Sequence, residues 1–122
     1  MKDGGVEQPV LVSVEVDRDR LPHAVIVRVR GELDYGTTPR LVEAVGAEPP
    51  PGAAMILVLD ELEFCDSSAL GAMIALHKAA GGRLYLTGVQ PQVRSAITVT
   101  SLDQLFLMRD DLAAALADVG CP

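Results

Sequence analysis

AAMILVLDELEFCDSSALGAMIALHKAAGG, residues Ala53 to Gly82, decides the fold. Ala53–Leu62 contains an unbroken apolar run, as expected of a central strand covered on at least one face. A short turn follows, and Asp66, Ser67 and Ser68 stand at the start of a helix. That helix is predicted from about Ser67 to Ala80. Leu70, Met73 and Ile74 form its apolar stripe, and Gly81 and Gly82 close it. A strand that feeds a helix belongs to a crossover unit with parallel strands.

The flanks extend this pattern. Val10–Val16 (VLVSVEV) alternates and is rich in valine, and Ala24–Gly31 (AVIVRVRG) repeats the signature. A polar turn, Asp17–His23, is expected between them, which makes the pair a hairpin. Past Gly31 the period changes to helical. Thr37 or Thr38 can cap that helix, with Pro39 at its first position and Leu41, Val42 and Val45 on its apolar face. Downstream, Arg83–Val89 reads as a strand and Pro91–Leu102 as a helix. Phe106–Met108 reads as a short edge strand and Asp110–Gly120 as a last helix with acidic residues at its positive end. The expected fold is α/β, a mixed sheet of four or five strands with helices packed mainly on one face. Met1–Pro9 reads as a flexible tail and residues 10–119 as one domain.

Composition narrows the function. The chain has 122 residues, 49% of them hydrophobic and only 3% aromatic, so Val, Leu, Ile, Ala and Met must fill the core. Seventeen acidic against ten basic residues give a net charge of -7. Such a surface repels phosphate backbones and anionic membranes, so neither nucleic acid nor membrane is an expected partner. No run approaches the roughly 20 apolar residues of a membrane span. Cys65 and Cys121 do not read as a disulfide framework. A soluble, cytoplasmic protein is expected.

Catalytic motifs do not assemble. His23 sits in a polar turn and His77 continues a helical stripe, without Cys, His or carboxylate at a metal spacing. Ser67 lacks the G-x-S-x-G elbow, and no phosphate loop or dinucleotide fingerprint occurs. No enzyme, metal site or cofactor is expected. Cys65 continues an apolar strand and reads as a small buried hydrophobe.

Leu62–Gly71 (LEFCDSSALG) admits two readings. Asp and Ser are preferred N-caps because their oxygens accept the free N–H groups of a first turn, and on pattern alone a plain cap is the better reading. The same N–H groups and helix dipole accommodate an anion, so a phosphate on a serine here would add charge without melting the helix. Glu32 and Asp34 follow the second strand. Parallel α/β architecture would bring Asp34 near Ser67 if the second and third strands are neighbours.

Three motifs together carry a family resemblance. They are G-E-L-D (Gly31–Asp34), the apolar strand ending in F-C-D-S-S-A-L-G (Phe64–Gly71), and Gly81-Gly82 before a strand and a proline-started helix. In order and spacing, from about Val10 to Val119, the chain resembles the STAS-domain family. Within it, the likeness is to bacterial anti-sigma factor antagonists of the sporulation and general-stress type. The resemblance implies that Ser67 is phosphorylated by an anti-sigma factor with serine kinase activity, and that a serine phosphatase reverses this. The unphosphorylated form would bind the anti-sigma factor and release the sigma factor; phosphorylation would abolish binding. Asp34, Asp66, Ser68, Ala69, Leu70 and Gly71 would contact the partner, and Asp66 would cap the helix. The family usually has glycine where this chain has Ala69, which would place a methyl group where the partner approaches. The alternative is a STAS scaffold, or a subunit of a signalling or transport assembly, that is never phosphorylated.

Overall fold

Val12, Val14 and Val16 alternate with Ser13, Glu15 and Asp17, and the chain takes up its first strand there. In the computed structural model, which describes residues 12–21, 23–46 and 53–120, this strand is β1 (Val12–Leu21). The elements that follow are β2 (Ala24–Leu33), α1 (Thr38–Val45), β3 (Ala54–Cys65), α2 (Ser67–Ala79) and β4 (Leu84–Thr87). Then come α3 (Pro91–Val99), a 3-10 turn (Leu102–Gln104), β5 (Leu107–Arg109) and α4 (Leu112–Gly120). The expected tail Met1–Pro9 and Cys121 lie outside the described residues.

The five strands lie in chain order, β1-β2-β3-β4-β5. β1 and β2 are antiparallel; every later pair is parallel. β3 is covered on both faces, which explains its unbroken apolar run. Met55, Leu57 and Leu59 face the larger cluster, with Leu41, Met73, Leu76, Val93 and Ile97 from α1, α2 and α3. Ala54, Ile56 and Val58 face a smaller cluster with Ala115 and Val119 of α4. Each large side chain so buried stabilises the fold by roughly 1.5–3 kcal/mol. Three helices thus cover one face and one helix the other.

Several boundaries differ from the sequence reading. Asp17–Leu21 is strand, not the expected polar turn, and the register against β2 shifts between Asp17 and Leu21. Among the described residues β1 lies at the edge of the sheet, where charged residues such as the exposed Arg18 are tolerated and help to prevent edge-to-edge association. β5 begins one residue later than expected. Thr37 occupies the N-cap position of α1 but makes no side-chain cap bond. Its hydroxyl donates instead to the Glu32 carbonyl, at 2.7 Å.

β3 also runs three residues beyond the expected Leu62. Its pairing with β2 slips twice, between Arg28 and Arg30 and between Gly31 and Glu32. Leu59, Leu62 and Cys65 therefore recur every third residue and all enter the larger cluster. Asp60 and Glu61, then Glu63 and Phe64, are left exposed in pairs. A period of two cannot show this; bulges carry the strand up to the site. Beyond β4, the carbonyls of Asp60 and Glu63 accept from the side-chain amides of Gln90 (2.6 Å) and Gln92 (3.0 Å).

Gly88, just past β4, holds φ at 66°, and a Cβ there would stand 2.1 Å from Oδ1 of Asp60. Gly88→Ala is expected to cost at least about 1–2 kcal/mol from the left-handed backbone alone. Denaturant unfolding would show this as a lower midpoint with an unchanged slope; an unshifted midpoint would refute it.

Candidate functional site

One residue separates β3 from α2. Asp66 is extended, with φ -110° and ψ -172°, and its side chain turns onto the helix it precedes. Oδ1 accepts from the backbone N–H of Ser68 at 2.9 Å and of Ala69 at 3.2 Å. Oδ2 accepts from the N–H of Tyr35 at 3.0 Å, in the loop after β2. The Asp66 N–H itself donates to the Leu33 carbonyl at 3.1 Å. A single residue therefore caps α2 and ties it to the G-E-L-D segment.

That segment ends β2 and leads into a closed turn, Asp34–Thr37. Oδ1 of Asp34 accepts from the N–H of Gly36 at 2.9 Å and of Thr37 at 3.0 Å. The Asp34 N–H donates to the Thr37 hydroxyl at 2.9 Å. Asp34 spends one carboxylate oxygen on its own loop, as Asp commonly does in turns. The two loops meet again at Thr38 and Ser68, whose hydroxyl oxygens are 3.2 Å apart. Ser68 gives its proton to Oδ1 of Asp66 at 2.5 Å, so Thr38 is the donor in that pair.

The two serines thus differ sharply. Ser68 is half-buried and held by Asp66 and Thr38; Ser67 is exposed at the first position of α2. Gly71, one turn along the same face, is also exposed, and a Cβ there would meet nothing within 4 Å. Asp34 and Asp66 are half-buried. Ala69 and Leu70 are not surface residues: Ala69 is 0% exposed, and both belong to the core cluster. The expected placement of the Ala69 methyl against a partner is thus corrected. In the first helical turn this position points back to the sheet.

Electrostatics follow the hydrogen bonds. The Ser68 hydroxyl, with the N–H groups of Ala69, Ser68 and Tyr35, holds the Asp66 carboxyl below its ordinary value, against a smaller opposing effect of desolvation. Burial, with the neighbouring Asp66 charge, pushes the Cys65 thiol up, which keeps it protonated and unreactive. His77 packs against Phe106, with ring centroids 6.1 Å apart. It lies ten residues from Ser67 along α2, about 15 Å, too far to activate its hydroxyl. Among the described residues no group of three or more His, Cys, Asp or Glu could hold a metal ion. No described helix is long and apolar enough to cross a membrane.

Tyr35 and Phe64 belong to this region but are not singled out by sequence patterning, and Thr38 is expected only as a helix cap, not as a partner of Ser68. Tyr35 contributes through its backbone N–H, to which its residue type gives no clue. The D-Y-G-T turn is the one available hint.

Asp66→Ala removes the acceptor of three backbone N–H groups and is expected to cost about 1–2 kcal/mol at neutral pH. The folded pKa is depressed, so this stabilisation is present above the unfolded value and is lost as pH falls through the folded one. Below about pH 4, the ordinary carboxylate range, the gap between wild type and variant should narrow. Urea titrations across pH 2–7, spanning that range, would test it; a constant gap would mean that the charge contributes nothing.

Known proteins share this fold. The model of the STAS domain matches residues 15–115. An anti-sigma F factor antagonist of Paenibacillus polymyxa is 25% identical over 113 residues, covering 88% of this chain and 97% of the relative. The crystal structure of an anti-sigma factor antagonist from Mycobacterium paratuberculosis superposes with a TM-score of 0.79 at 28% identity, over 95% of this chain and all of that one. The phosphorylated form of the Bacillus cell fate determinant SpoIIAA shares the fold, with a TM-score of 0.65 at 20% identity over 87% of this chain and 97% of that one. With residues 15–115 matched and the fold shared, the chain belongs to the STAS-domain family.

Proposed function

We propose that this protein is an anti-sigma factor antagonist whose binding is switched by phosphorylation of Ser67. The observation that carries the reading is the contrast between the two adjacent serines. A kinase that approaches the start of α2 meets a free Ser67 hydroxyl, whereas the Ser68 proton is committed to Asp66. The relatives from Paenibacillus polymyxa and Mycobacterium paratuberculosis, both anti-sigma factor antagonists, support the role. The partner is then an anti-sigma factor that is also a serine kinase, opposed by a serine phosphatase.

The mechanism needs no refolding. Phosphate on Ser67 sits at a helix N-terminus, where the dipole tolerates an anion. It adds about -1.5 to -2 charge and three acceptor oxygens to an exposed spot. The N-terminal turn stays capped by Asp66, while the surface that a partner must seal against acquires a bulky, hydrated group. Asp34, Asp66 and Ser68 shape the loops beneath that surface, and Gly71 lets a partner approach the helix closely.

Intact-mass and peptide mapping of protein from its native cells should find one phosphate, on Ser67. Ser67→Ala should bind the anti-sigma factor constitutively, and Ser67→Asp or the phosphoserine form should not. Phosphate on Ser68, or undiminished binding by the phosphoserine form, would sink the reading. A protein never phosphorylated through growth and stress would instead be a STAS scaffold.

Gly71→Ala separates folding from binding. In an exposed helix position it should stabilise the fold by about 1 kcal/mol. The same methyl, on the face beside Ser67, should weaken binding to the anti-sigma factor. Calorimetric melting and titration of one variant would read the two signs; a parallel gain in both would remove Gly71 from the interface.

A further inference from the structure

Six large apolar side chains stand exposed among the described residues, and four of them lie on the elements that meet at the start of α2. Tyr35, 86% exposed, is carried by the backbone that donates to Asp66. Phe64, 47% exposed, lies three residues before Ser67 and pairs across the sheet with Glu32. Ile74 lies about two turns along α2 from Ser67, on the same side. Val42 lies one turn along α1 from Thr38, whose hydroxyl meets Ser68. The other two, Val99 and Leu105, lie beyond Thr98, at the far end of α3 and in the turn that follows it.

Charge beside Tyr35 and Phe64 is acidic, while the exposed Arg40 and Lys78 stand at the outer ends of the patch, near Val42 and one turn past Ile74. Residues 31–39 and 60–76 carry Glu32, Asp34, Asp60, Glu61, Glu63 and Asp66 and no Lys, Arg or His. Only Glu61 of these makes an ion pair among the described residues, with Arg30 at 3.4 Å. Asp34 and Asp66 are engaged by backbone N–H groups. Glu32 and Glu63 are exposed and flank Phe64 in space and in sequence. Anionic lipid and nucleic acid carry the wrong charge for such a rim.

We infer that Tyr35 and Phe64 are the anchors of the partner-binding surface, and that the anti-sigma factor meets them with an apolar centre ringed by lysine or arginine. This rests on the function proposed above and specifies the chemistry of that partner. It also bears on how the switch works. A basic ring would by itself attract a phosphate. Ser67, however, stands among the apolar anchors, where a dianion must be stripped of water to close the contact. The phosphate then breaks binding by desolvation and bulk, not by repulsion between like charges.

The test uses the anti-sigma factor that a two-hybrid screen of the genome's anti-sigma factors returns, titrated against full-length protein. Tyr35→Ser and Phe64→Ser should each weaken binding about tenfold or more, the range of buried aromatic anchors. Val99→Ser should not. Wild-type affinity should fall as salt rises from about 0.05 to about 0.5 M, where a charged rim is screened. Phosphoserine at position 67 should abolish binding at both salt concentrations. Circular dichroism melting of the variants guards against unfolding. Retained affinity in either serine variant, affinity that is flat or rising with salt, or binding by the phosphorylated form restored at high salt would overturn the inference and leave the proposed function standing. A screen that returns no anti-sigma factor would overturn the proposed function itself.

Discussion

The carboxylate of Asp66 holds together the two segments on which everything else at this site depends. Its oxygens accept from three backbone N–H groups, two in the first turn of α2 and one in the loop after β2. It also fixes the Ser68 hydroxyl. Removing a buried or half-buried partner costs more than the net value of the bond, because the donors left behind lose their solvation without replacement. A multiply bonded cap therefore defines both the start of the helix and the position of Tyr35. Ser67 is left free because Asp66 has bonded its neighbour.

The sheet delivers this residue to the surface. β3 is the central strand and is buried on both faces along its first half. Two slips of register against β2 then let Leu59, Leu62 and Cys65 stay in the core while the residues between them emerge. The amides of Gln90 and Gln92 cover part of the strand edge that β4 leaves unpaired. The strand is thus anchored almost to its last residue, and the site sits on backbone held by hydrogen bonds. Such a platform suits a switch that works by added charge and not by a change of shape.

The helix start suits the proposed switch as well. A group added at the start of a capped helix faces little intramolecular opposition, since the dipole favours it. Its effect falls on whatever must dock there. The exposed apolar side chains near Ser67 would lose water in a complex, and a hydrated phosphate resists that step, so the proposed switch requires no motion in the protein. Cys65, buried with its thiol pushed up, takes no part beyond packing.

Sequence by itself determined the order of elements, the parallel arrangement implied by β3 and α2, and the cap role of Asp66. These follow from local rules: hydrophobic period, glycine and proline positions, and the preference of Asp for free N–H groups. It also brought Asp34 and Ser67 to the same end of the sheet. Only the tertiary structure decided the rest. The extension of β3 to Cys65 depends on bulges, which break the alternation that a sequence pattern relies on. The strand at Asp17–Leu21 looks like a turn because its residue types are mostly charged, a composition that suits the edge of a sheet better than a buried strand. Ala69 reads as a surface residue from the motif, yet helical geometry turns it into the core. The difference between Ser67 and Ser68 is invisible in two identical letters, because it arises from one proton given to a carboxylate and from a threonine, thirty residues away in the chain, that donates to the same hydroxyl oxygen.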